Sequence, residues 1–159
     1  MPANFARVFA LTPNIGYKNA LLSTAMTNTK AYDGTEVAGT AMVLAYTVGA
    51  NGGSPNQLRV QYTSTNGATA SGTTNATVVR FWANDPVAGV NTVAANNIYL
   101  GETSIPAATI TALATTANNV AGLFNVPSLP AGYKIYAGLT VAIGGTNCAL
   151  SLLGLGGDF

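Results

Sequence analysis

Between Gln57 and Asp85 apolar and polar positions alternate in two runs. Leu58, Val60 and Tyr62 alternate with Arg59, Gln61 and Thr63; beyond a stretch rich in Gly, Thr, Asn and Ser, Val79, Phe81 and Ala83 alternate with Arg80, Trp82 and Asn84. A period of two means that successive side chains fall on opposite faces, so each run is read as a half-buried strand. The pair is expected to form one long β-hairpin, with a core face and an outer face that carries Arg59, Arg80 and Trp82.

The same reading extends along the chain. Phe5 to Leu11 is short and apolar, and Thr12-Pro13-Asn14 is expected to stop it, leaving an edge strand or an extended arm. Leu21 to Thr27 is a second weak strand, and Asp33-Gly34 marks a tight turn. Ala41 to Val48 is apolar on both faces, as a central strand is, and Gly49 to Asn56 is expected to be a loop. Further strands are expected over Ile98 to Ile105, Val120 to Val126, Lys134 to Ala142 and Ala149 to Leu155, with a turn at Leu129 to Tyr133. Residues 107–119 carry a faint helical stripe of Ile110, Leu113 and Ala117, but four Thr residues and no charge favour an irregular strand or loop. About eight to nine short strands with Gly/Pro/Asn turns and no helix to cover them predict an all-β fold. The expected form is an antiparallel β-sandwich, a jelly roll or a related Greek key. Residues 1–40 are expected to be an N-terminal strand or arm region of the same single domain, with the sandwich core in 41–159.

Charge sharpens this picture. Only 7% of the 159 residues are charged, against about 25% in an ordinary domain, while 48% are hydrophobic and the net charge is +1. The polar surface must therefore be made of Thr, Asn, Ser, Gly and backbone, and little repulsion keeps copies or neighbours apart. Such a protein suits work in contact with other subunits. The six basic residues are scattered, so no patch for neutralising several phosphates is expected. No apolar run approaches the ~20 residues of a membrane span, and the N-terminus lacks the features of a secretion signal, so neither nucleic acid nor membrane is an expected partner.

Candidate chemistry is sparse. The chain has no His, which removes Ser-His-Asp and Cys-His arrangements and His-based zinc sites. Of the five acids, Asp33, Asp85 and Asp158 lie at turns or at the terminus, where Asp ordinarily bonds its own backbone, so a paired-carboxylate site is not expected. No EF-hand spacing is present, which leaves calcium held by turn Asp and Asn residues with backbone carbonyls as an alternative, and the glycine clusters are not followed by a helix bearing Lys. The chain is read as a non-enzyme without metal or cofactor. Cys148 is single, so it reads as a small buried residue, or alternatively as one half of an intermolecular bridge. Trp82 has three readings: an interface contact, a sugar-stacking platform with tyrosines such as Tyr99 and Tyr136, or plain core.

Two stretches carry a family resemblance. Thr47 to Asp85 has a Gly-Ala-Asn-Gly loop, a strand alternating basic and aliphatic residues, a Thr/Gly-rich turn and a Val-x-Arg-x-Trp strand ending in Asn-Asp. Leu129 to Ala142, LPAGYKIYAGLTVA, precedes a last strand that ends in Gly156-Gly157-Asp158-Phe159. Together they resemble small virion structural proteins of tailed bacteriophages, most like head decoration (cement) proteins. The resemblance implies a β-sandwich on the capsid exterior, assembled in the bacterial host cytoplasm. It implies binding as a dimer or trimer to the major capsid protein and stabilisation of the shell by bridging its subunits. A tail or fibre-tip component, or a carbohydrate-binding sandwich on the particle surface, is the alternative. The contact residues expected on this reading are Arg59, Arg80 and Trp82 on the outer hairpin face, with Phe5, Arg7 and Phe9 on the N-terminal arm.

Overall fold

The computed structural model describes residues 12–15, 20–26, 42–65, 71–85, 96–110 and 120–159. Among them are eleven strands and no α-helix: β1 (Thr12–Ile15), β2 (Ala20–Leu22), β3 (Val43–Thr47), β4 (Gly53–Ser64), β5 (Gly72–Thr73), β6 (Thr77–Asn84), β7 (Asn97–Ile105), β8 (Thr109–Ile110), β9 (Val120–Asn125), β10 (Lys134–Leu139) and β11 (Cys148–Asp158). Residues 1–11 and 27–41, which hold most of the expected arm region, lie outside the described residues, and with them Phe5, Arg7 and Phe9.

The strands form two antiparallel sheets. One runs β1-β11-β4-β9 with β2 also on β11, making five strands; the other runs β3-β10-β6-β7. A short ribbon of β5 and β8 stands apart from both. The pairing is nested, because β1 and β2 lie on β11, β3 lies on β10, β4 on β9 and β6 on β7. Two further pairings, β11 with β4 and β10 with β6, join these couples into sheets.

Each strand has one apolar face and no helix to cover it, so the two sheets bury those faces against each other. Leu22, Leu58, Val60, Tyr62, Leu150 and Leu152 from the five-stranded sheet meet Tyr46, Val79, Phe81, Ile105, Ile135, Ala137 and Leu139 from the other in one core cluster. Phe81 and Phe124 stack across the gap between the sheets, with ring centroids 4.6 Å apart and planes 18° from parallel. Burial of this kind contributes roughly 1.5–3 kcal/mol per large side chain before chain entropy is set against it. Cys148 is a buried thiol beside the carbonyls of Ser71 and Thr146, in keeping with its reading as a small core residue.

The long hairpin does not form. β4 lies between β11 and β9 in one sheet, and β6 between β10 and β7 in the other, so their apolar series meet across the core and not side by side. Alternation reports that a strand has one buried face; it carries no information on which strand lies beside it. Two smaller expectations also change. Thr12-Pro13-Asn14 belongs to β1, at the margin of its sheet, where a residue without an N–H is tolerated. The loop expected over Gly49 to Asn56 is shorter, since β4 starts at Gly53 and carries Pro55 opposite a register shift between Leu155 and Gly157. In 107–119, where an irregular strand or loop is expected, Thr109–Ile110 is the short strand β8 and residues 111–119 lie outside the described residues.

Candidate interaction surfaces

The segments that carry the family resemblance meet at one end of the sandwich. The turn after β3, the turn before β10 and the end of β11 are hydrogen-bonded to one another: Val48 N–H donates to the Tyr133 carbonyl at 2.9 Å, Gly132 N–H to Gly49 at 3.2 Å and Phe159 N–H to Gly52 at 3.1 Å. Gly53 and Leu129 exchange bonds of 3.1 and 3.0 Å. Gly52 and Gly132 have φ of 88° and 75°, in the left-handed region that side chains with a Cβ avoid, so the turns need glycine there. Asp158, expected at the terminus to bond its own backbone, lies in β11 and reaches a distant turn. Its Oδ1 accepts the Gly49 N–H at 3.0 Å, and a Cβ added at Gly49 would lie 2.5 Å from its Cγ. Behind this knot the Tyr46 hydroxyl is buried with no hydrogen-bond partner among the described residues. Burial, and then the negative charge of Asp158, push its phenol up to about 12. The motif residues here lock three distant stretches together.

The outer face of the four-stranded sheet carries Arg80 and Trp82. Arg80 Nε donates to Glu102 Oε2 at 3.0 Å, and the Tyr99 hydroxyl donates to the same oxygen at 3.0 Å. These two donors hold the Glu102 carboxyl below the usual carboxylate range, while burial and then Glu102 raise the Tyr99 phenol. Trp82 pairs with Tyr136 and Tyr99, and its ring lies 6.0 Å from that of Tyr99. The pairing puts it on the outer face, outside the core cluster, yet it is 1% exposed. Trp82 is thus buried, as the core reading has it, although it lies outside the cluster between the two sheets. Met26 lies over the same face, where a Cβ on Gly138 would collide with its thioether. Asn84 is buried beside Asn97, to whose Oδ1 it donates at 3.2 Å.

The outer face of the five-stranded sheet is different. Arg59 on β4 is in register with Leu123 on β9 and with Leu153 on β11, so the three form a row across neighbouring strands on one face. Leu21 is placed on that face by its pairing with Ser151, and Leu155 by its pairing with Gln57. Leu123 is 50% exposed and Leu21 38%, while Arg59, Leu153 and Leu155 are half-buried. Arg59 Nε is buried and has no hydrogen-bond partner among the described residues. Among the described contact residues expected from the sequence, Arg59 alone is found on a surface of this kind, and alternation in β9 and β11 was the signal for its leucine neighbours.

An open groove of about 450 Å³ lies where β6 begins and β7 ends, lined by Val78, Ile105, Pro106 and Val141 among others. Its Thr77 hydroxyl is occupied, bonded to the Val141 carbonyl at 2.8 Å and accepting the Val141 N–H at 3.1 Å. Among the described residues no three His, Cys, Asp or Glu side chains group as metal ligands would, and no helix is long and apolar enough to cross a membrane. The chain matches no protein-family model, and neither a curated protein nor a solved structure matches it.

Proposed function

We propose that this protein is a structural component of a bacteriophage particle, which decorates the capsid exterior and stabilises the shell by bridging major capsid protein subunits, acting as a dimer or trimer. The observation that carries this reading is the outer face of the five-stranded sheet: broad, bearing exposed leucines, and with Arg59 as its one charge among the described residues. At ~4.8 Å per strand and ~3.3 Å per residue, the path β1-β11-β4-β9 along the 12 residues of β4 offers at most roughly 760 Å². That is close to the ~800 Å² each partner contributes to a standard protein interface. We read the nested pairing of the strands as a jelly roll, an architecture that serves viral shells among other tasks. The surface poor in charge and the family resemblance of the three interlocked end segments support the same reading. Mechanically, many copies each touching two or more shell subunits would resist outward pressure even if each contact were modest.

The test is to mix the purified protein with undecorated heads of the parent phage, pellet the heads and count the copies retained. Saturable retention at a fixed multiple of capsid subunits, with heads that withstand more heating, is the expected result. Bare heads, with the protein retained by tails or by host-cell surfaces, would replace this reading by the tail-tip or carbohydrate-binding one.

A further inference from the structure

We infer that the outer face of the five-stranded sheet is the docking face, and that its occupant is a different protein presenting an apolar surface with a carboxylate that reaches Arg59. The identity of that protein as the capsid shell rests on the decoration reading above; the chemistry of the contact comes from the face itself. Arg59 stands in a row between Leu123 and Leu153, and its buried Nε lacks a hydrogen-bond partner among the described residues. The side chain as a whole is half-buried, and its Nε is the nitrogen shielded from water. A buried donor left unpaired is unfavourable, and a planar carboxylate is the group that matches its fork of N–H donors. The other arginine on a sheet face is not in this position, because Glu102 already accepts from Arg80 and Met26 covers part of that face.

A second copy of this chain is a poor occupant. The described residues that the pairing places beside Arg59 on this face, among them Gln57, Gln61, Asn125 and Ser151, include no acid. A two-fold contact centred here would oppose two Arg59 side chains with nothing to neutralise them. Contacts between copies of this chain therefore belong to other surfaces, and the docking face is left for an acidic partner.

The experiment titrates undecorated heads with the wild-type protein, R59Q, R59E, L123D and the double variant R80Q/E102Q, each checked for fold by circular dichroism and melting. Sedimentation of each protein alone gives its own oligomeric state. Weakening of about tenfold or more for R59Q, and more for R59E and L123D, is expected for loss of a desolvated charge pair and its apolar surround. R80Q/E102Q should bind within about twofold of wild type, and added salt should weaken wild type more than R59Q. Wild-type binding by a folded R59E and a folded L123D overturns the docking face while leaving decoration intact. A drop in the oligomeric state of R59E alone would make a second copy the occupant and overturn the heterologous partner. Wild-type protein that fails to bind heads at all would remove the decoration reading, and this docking with it.

Discussion

Tyr46→Phe tests the knot at the end of the sandwich. The Tyr46 side chain is 0% exposed and its hydroxyl has no hydrogen-bond partner among the described residues, so the folded state carries a desolvated O–H. Its phenol is raised from 10.0 to about 12, first by burial and then by Asp158. The phenol ionises more readily in the unfolded chain than in the folded one. Its contribution to stability is therefore fully present below pH 10 and is lost as pH rises towards 12. A tenfold difference in an ionisation constant corresponds to about 1.4 kcal/mol, so the whole contribution is roughly 2.7 kcal/mol. Phenylalanine keeps the ring and removes both the ionisation and the unpaired hydroxyl. At pH 7 the variant should be as stable as wild type or more stable by up to about 1 kcal/mol, because an unpaired buried hydroxyl carries a desolvation cost. Urea denaturation of both proteins from pH 7 to 11.5 measures this, and the difference between them cancels the other tyrosines and the lysines. Wild type should lose ground to Y46F steadily above pH 10. A loss of 2 kcal/mol or more in Y46F at pH 7, or a difference that stays flat to pH 11.5, would refute the reasoning and require a partner for the hydroxyl.

Gly101→Ala should destabilise the protein by about 1–3 kcal/mol, since φ is +141° and the new Cβ would lie 2.7 Å from Phe124 Cε2; equal denaturation midpoints would show that the stacked rings yield freely. Glu102→Gln should cost less than about 1 kcal/mol, because the carboxylate is 46% exposed. As its carboxyl is held below the usual range, that contribution is present at neutral pH and lost in acid, so the melting temperatures of E102Q and wild type should converge as pH falls. Trp82 is the only tryptophan, and at 1% exposure its fluorescence should be blue-shifted and nearly immune to acrylamide; strong quenching would mean that the outer face of the four-stranded sheet is open.

The strands were legible in the sequence and their neighbours were not. Alternation placed β4, β6, β7, β9, β10 and β11 within a few residues of where they lie, because the inward positions of a sandwich strand must be apolar. It misled at Gln57 to Asp85, where two strands close in sequence cross to opposite sheets, since pairing is decided by the whole set of strands and not by the pattern within one. Pro13 and Pro55 read as breaks, yet a sheet margin and a register shift accommodate them. For the surface, Arg59 and Arg80 looked equivalent. The difference between them comes from Glu102, 22 residues from Arg80, and from the leucines that β9 and β11 bring beside Arg59. Trp82 was placed on the correct face, but its cover was not readable from β6 alone. The role of Asp158 was hidden for the same reason, its donor being 109 residues away at Gly49.

The most direct measurement is a cryo-electron microscopy reconstruction of undecorated phage heads incubated with saturating protein. The decoration reading expects added density at regular sites on the outside of the shell, into which the sandwich fits with the β1-β11-β4-β9 sheet turned towards the capsid and Arg59 within reach of a shell carboxylate. Heads that remain bare would contradict the proposed function. Density that meets the shell through the β3-β10-β6-β7 sheet would keep the function and contradict the docking face.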